Sequence, residues 1–338
     1  MPWWTREIEQ AQARHRARVA ALYDGRATDG PVAIEGRMAG RNHGLWGTNE
    51  IDMLREPDAW LADALADIRE HAAEAADPRT FRPMVIELDA FGTHYIDALF
   101  GARVGFVEGQ VWSDQLACDL EDLAEPLLDE NEVFHASLRL ARRAVELTEG
   151  RFFISNPVLS CPANIGINLF GERLLEALAV RPEAARRALR IVTNVIKRCM
   201  AAFAEAIPFD QRVNTVGCNR YAPPGFGFID GCATQLVSAE HYAGFFAPVD
   251  AELLAFHPRG GMIHLCGAHE QHIPAWRAMQ ALRSVQLNDR AADDFEAYFR
   301  GLREDQIVYI GPTAAMPLAR ILDISAARRV VLQCALPG

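Results

Sequence analysis

The stretch GGMIHLCGAHEQHIPAWRAMQALRSVQLND, residues 260–289, holds two short apolar runs with a helical segment between them. GMIHLC (261–266) and LRSVQLND (282–289) read as buried strands, and Ile273–Ala281 as the helix joining them. Buried parallel strands appear as nearly continuous apolar runs, while the crossovers carry the longer helical period. The alternation continues towards the end of the chain. Ala291–Leu302 predicts a helix, DQIVYIG (305–311) a strand, Thr313–Leu322 a helix and RRVVLQC (328–334) a strand.

Working back from there, PVAIEG (31–36), PMVIELDA (83–90), RFFISN (151–156) and RVNTVG (212–217) bring the strand-like runs to eight. Helical patterns cover Pro57–Ala76, Asn131–Glu149, Gly171–Leu178, Pro182–Ala206 and Ala239–Phe256. Pro182 suits a first helical position and Ser238 suits an N-cap. Eight runs with helices between them predict an α/β protein with a (β/α)8 barrel (TIM barrel). The barrel is expected to be a single catalytic domain over residues 31–338, after an N-terminal helical extension over 1–30. Residues 90–130 read as an insertion after an early strand, over one barrel mouth. An open doubly wound sheet is the alternative, though no Gly-x-Gly-x-x-Gly follows an early strand to give it a dinucleotide site.

The chain has 338 residues, with 34 Lys+Arg against 45 Asp+Glu and a net charge of −11. That balance argues against a nucleic-acid partner. The sequence shows no stretch of membrane-spanning length and apolarity, and its charged start lacks a signal-peptide core, so a cytoplasmic protein with no membrane partner is expected. The seven cysteines are odd in number and widely spaced, which argues against a disulfide framework.

In a strand, residues i and i+2 share a face. His264 and Cys266 therefore point the same way, at the carboxyl end of their strand, where the chemistry of an α/β barrel sits. Cys334 ends the last apolar run, so two strands are expected to bring His264, Cys266 and Cys334 to one mouth. The pattern leaves two readings open: a metal site, or buried thiols beside a hydrogen-bonded histidine.

His269 and His272 follow in the next loop, placed to shuttle a proton or orient a substrate, or simply to start a helix. The Gly- and Pro-rich segment NRYAPPGFGFIDGC (219–232) reads as a loop in which Tyr221 lines a pocket and Cys232 is a core thiol. Asn156, Asn164 and Asn168 lie among apolar residues after a strand, where amides bind a polar substrate or form turns. His94 and Tyr95 follow the second strand and are further candidates for pocket lining.

Residues 260–289 resemble the His-x-Cys-Gly segment of the uroporphyrinogen decarboxylase-like superfamily, and most closely its zinc-dependent corrinoid/thiol methyltransferase branch. IDALFGARVGFVEGQ (96–110), NPVLSCPANIGINLFGERLLEAL (156–178) and FIDGCATQLVSAEHYAGFFAPV (228–249) fit the superfamily more loosely. The resemblance implies a (β/α)8 barrel holding catalytic Zn2+ on His264, Cys266 and Cys334. It implies a thiol substrate, and a methyl donor that is a folate or a corrinoid carried on a separate protein. It also makes Asp230 a substrate- or proton-handling residue, against the plain reading of an Asx turn before Gly231.

Related enzymes carry an acid near the next strand end, which makes Asp289 a candidate fourth ligand; otherwise it caps the following helix. Two thiolates and an imidazole leave zinc formally uncharged, which favours alkyl transfer to sulfur over water activation. The arginine-rich opening motif of true uroporphyrinogen decarboxylases is absent, which argues against decarboxylation of uroporphyrinogen. A metal-independent decarboxylase or lyase on the same barrel is the competing function.

Overall fold

The computed structural model describes residues 3–36, 52–107, 110–213 and 218–336. Its strands are β1 Val32–Ala33, β2 Val85–Glu87, β3 Val104–Val107, β4 Gln110–Ser113, β5 Phe153–Ser155 and β6 Arg212–Val213, followed by β7 Gly227–Asp230, β8 Gly261–Leu265, β9 Leu282–Leu287, β10 Ile307–Ile310 and β11 Val330–Leu332. Six of them form one parallel sheet in the order β1-β11-β10-β9-β8-β7. A second parallel sheet runs β2-β5-β6. An isolated parallel bridge between Ile34 and Phe81 ties the residue after β1 to the segment leading into β2.

Strands alternate their side chains between two faces, and here one face of both sheets feeds a shared cluster. Val32, Val85, Phe153, Phe228, Met262 and Val331 meet there with Tyr309. The opposite residues, such as Ile86, Ile154, Ile263, Leu265 and Leu332, pack outward beneath the helices. Burying each such side chain contributes about 1.5–3 kcal/mol.

The helix Arg6–Tyr23 is capped by Thr5 and buries Ile8, Ala11, His15, Val19 and Tyr23 along one stripe. The Tyr23 hydroxyl lies 2.8 Å from Ser284 Oγ and donates to the Tyr309 hydroxyl at 3.1 Å, so this helix closes the amino end of the strands. Pro182 opens the helix Pro182–Ala206, and Ser238 accepts from the His241 amide, as their residue types suggest.

Several expectations change. The α/β class and the parallel sheet hold, but the closed eight-stranded barrel is not seen: among the described residues no ladder joins β6 to β7. The expected run 212–217 is a strand only at Arg212–Val213, and 214–217 lie outside the described residues. The segment read as a loop over 219–232 contains a buried strand, β7. Its four residues follow Pro223-Pro224-Gly225-Phe226, and that turn chemistry masked it. The segment 90–130 forms a short helix, Tyr95–Leu99, and then the antiparallel hairpin β3–β4. The expected helix 313–322 begins later, at Leu318, and runs to Ser325. No helix of the described residues is long and apolar enough to cross a membrane.

Candidate metal centre

In the β7–β8 ladder, Asp230 lies opposite His264. Two residues beyond them on each chain, with the same strand parity, come Cys232 and Cys266. One donor atom from each of Cys232, His264 and Cys266 lies within 4.8 Å of those of the other two. The three side chains form a group able to hold a metal ion, with the imidazole buried and the thiols half-buried.

The two thiols share a hydrogen bond, which lowers the pKa of Cys266 and, together with burial, raises that of Cys232. One sulfur therefore becomes a thiolate more easily than the other. Burial, reinforced by the nearby Arg220 guanidinium, pushes His264 down to about 3, so its ring is neutral and carries a lone pair at physiological pH. A neutral imidazole beside two sulfurs is a donor set for borderline-soft metal ions. Asp230, 2 % exposed, has its carboxyl pushed up to about 6 by burial, opposed by the charge of Arg220. Its Oδ2 has no hydrogen-bond partner.

His264 Nδ1 bonds the Gln286 side-chain oxygen on β9. Gln286 Nε2 donates to Gln333 Oε1 at 2.8 Å, and Gln333 Nε2 donates to the Asn219 carbonyl at 3.0 Å. The last strand thus reaches the site through Gln333.

Cys334, expected as the third ligand, is not in the cluster; Cys232 stands in its place. Strand parity explains the change. Val331 belongs to the inner cluster, so Gln333 follows it inward, whereas Cys334 follows Val330 and Leu332 and packs against the outer core. Asp289, the expected fourth ligand, is exposed and also lies outside the cluster. Its backbone is left-handed, with φ 46°, and its carboxylate accepts from the Asn288 amide at 3.1 Å. Its negative charge nevertheless opposes ionisation of Cys266.

His269 and His272 are fully buried. His269 Nδ1 lies 3.1 Å from Thr234 Oγ1, and its Nε2 accepts from the Gly267 amide at 3.3 Å. His272 Nε2 donates to the Thr234 carbonyl at 2.9 Å. Both rings fasten the Cys266 loop to the turn after Cys232, with no ring edge left to solvent. Tyr221 is also buried, in the inner cluster between Phe81 and Phe153, with ring centroids 5.1 and 5.0 Å away.

Asn168 and His94 are brought together with a residue not singled out from the sequence. The Asp97 carboxylate, wholly buried, accepts from His94 Nδ1 at 2.6 Å, Asn168 Nδ2 at 2.8 Å and Ser113 Oγ at 3.1 Å. Burial raises its pKa against these bonds. One turn earlier on the Asn168 helix, Asn164 Oδ1 accepts from the Ala233 amide at 2.8 Å, tying this group to the residue after Cys232. Asn156 is buried with an unpartnered Oδ1.

Cys232 and Asp97 are what sequence reasoning missed. Cys232 had a usable signal: Phe228, Asp230 and Cys232 alternate just as Met262, His264 and Cys266 do. Reading 227–230 as a strand would have placed the second thiol.

Neither a known protein family nor any curated protein matches the chain in sequence. In structure it is similar to a methyltransferase from Methanosarcina mazei, with a TM-score of 0.64 at 12% identity, covering 95% of this chain and 93% of that one. At this identity the likeness is one of fold.

Proposed function

We propose that this chain is a zinc-dependent methyltransferase of the uroporphyrinogen decarboxylase-like kind, its strands forming a (β/α)8 barrel, and that it methylates a small thiol. The methyl group would come from a folate or from a corrinoid on a separate protein. The observation that carries this reading is the meeting of Cys232, His264 and Cys266 at adjacent strand ends, in a fold shared with a solved methyltransferase.

Cys232, His264 and Cys266 would hold the ion, and two sulfurs with one nitrogen fit zinc better than a hard cation. Zinc bound there supplies a Lewis acid that lets a substrate thiol ionise near neutral pH. His264 donates from Nδ1 to Gln286 and keeps its Nε2 lone pair for the ion. Asp230 takes the thiol proton at its unpartnered Oδ2. His94, held through Nδ1 by Asp97, presents Nε2 to the substrate, and Asn168 holds the Asp97 carboxylate in place by donating to it. Asn156 offers its free Oδ1 to a polar group of the substrate. His269, His272 and Tyr221 act as positioning residues in the walls. Asp289 keeps negative charge at the rim.

Metal analysis paired with a transfer assay from methylcobalamin or methyltetrahydrofolate to a panel of small thiols tests the reading. One zinc per chain is expected, with transfer abolished by chelation and restored by zinc. A metal-free protein that turns over a carboxylated substrate after chelation would favour the lyase reading instead.

A further inference from the structure

A cavity of about 940 Å³ lies at the end of the strands opposite the cysteine cluster, between the end of the helix Arg6–Tyr23 and the starts of β9, β10 and β11. Five arginines line it against three carboxylates, in a chain whose net charge is −11. We propose that this cavity is a second binding site, for a small molecule carrying two or more phosphate groups.

The arginines are held in place without being fully neutralised. Asp24 serves two of them, at 2.6 Å from Arg259 Nη2 and 3.0 Å from Arg26 Nη2. Arg283 donates to the Tyr23 carbonyl at 3.0 Å and meets its nearest carboxylate, Asp305, at 3.7 Å; Asp305 is also paired with Arg303 at 2.8 Å. Arg329 donates to the carbonyls of Arg303, Gln306 and Phe299. Arg328 is exposed, and among the described residues its guanidinium has no ion pair.

Aromatic faces fix the guanidinium groups. Arg259 and Arg283 lie over the Phe226 ring, 4.6 and 5.8 Å from its centroid, and Arg329 lies 4.5 Å over Phe299. Cation–π contacts and carbonyl bonds orient an arginine but leave its net charge, whereas a carboxylate cancels it. Planar, fixed guanidinium forks match phosphate oxygens in pairs.

The turn that delivers Arg328 and Arg329 is itself strained: Ala326, Ala327 and Arg329 have φ of 47°, 55° and 54°. Left-handed backbone at such residues costs roughly 1 kcal/mol each and is concentrated where function repays it. A volume of about 940 Å³ suits a compact ligand, not a nucleic-acid strand.

Calorimetry with sodium pyrophosphate, ATP and citrate at low ionic strength tests the proposal on the full chain. Saturable pyrophosphate or ATP binding is expected, weakening as salt is raised. It should fall about tenfold in Arg283→Met and several-fold in the exposed Arg328→Ala, consistent with lost charge-assisted bonds. Arg320→Ala, outside the cavity, should leave it unchanged. Cys232→Ser should also leave it unchanged, which separates this site from the metal centre. No saturable heat with pyrophosphate or ATP at millimolar concentration, or undiminished binding in Arg328→Ala and Arg283→Met, would overturn the proposal. Citrate binding more tightly than pyrophosphate would overturn the phosphate assignment.

Discussion

His264 on β8 hands its Nδ1 to the side-chain oxygen of Gln286 on β9. That contact fixes the tautomer and the ring plane, and it leaves Nε2 with its lone pair. The support runs on through Gln333 to the Asn219 carbonyl, so three segments of chain hold one imidazole.

Replacing Gln286 by Leu keeps the volume and removes the acceptor. Partners of this kind typically contribute 10–100-fold, so zinc affinity is expected to fall by about that factor with the fold intact. Competition against a chromogenic chelator measures it. Unchanged affinity would show that the contact does not orient the ring.

Gly260 opens the stretch that carries His264 and Cys266. It has φ of +79°, and an added Cβ would lie 2.3 Å from the Ala281 carbonyl oxygen. Gly260→Ala is expected to destabilise the protein by about 2 kcal/mol or more, because both backbone strain and a backbone clash oppose it. At Gly267 the atoms nearest a Cβ belong to the end of the exposed Gln235 side chain, which can move aside. Gly267→Ala is therefore expected to cost much less. Urea unfolding of the two variants measures the contrast.

The buried Asp250 carboxyl accepts from the Tyr242 hydroxyl at 2.9 Å, and burial pushes it up to about 7. The folded state holds this proton more tightly than the unfolded chain does. The associated stability is full below the ordinary carboxyl range near 3.8 and is lost as pH rises towards about 7. Asp250→Asn keeps an acceptor for Tyr242 without the titration. It is expected to flatten the fall in stability between pH 4 and about 7, as read from denaturant midpoints across that range. A parallel fall in the variant would assign the dependence to other groups.

The final third of the fold was legible because its strands are continuous apolar runs separated by amphipathic segments. β8 to β11 lie within the runs read for them. The β7 segment was not legible: four strand residues after Pro-Pro-Gly carry turn chemistry that only tertiary pairing with β8 overrides. The same turn chemistry hides part of the site: the two-residue spacing reveals His264 and Cys266, while the loop-like composition of 219–232 conceals Cys232. Cys334 ends an apolar run, but the alternation Val331, Gln333 against Leu332, Cys334 puts it on the outer face. Asp97 was invisible, since its partners His94, Ser113 and Asn168 converge only in three dimensions.

The central claim is that Cys232, and not Cys334, completes the metal site. Zinc content of the purified Cys232→Ser and Cys334→Ser proteins, measured side by side by mass spectrometry after dialysis, tests it most directly. The account predicts that Cys334→Ser keeps one zinc per chain and that Cys232→Ser loses it. Zinc retained by Cys232→Ser and lost from Cys334→Ser would contradict it.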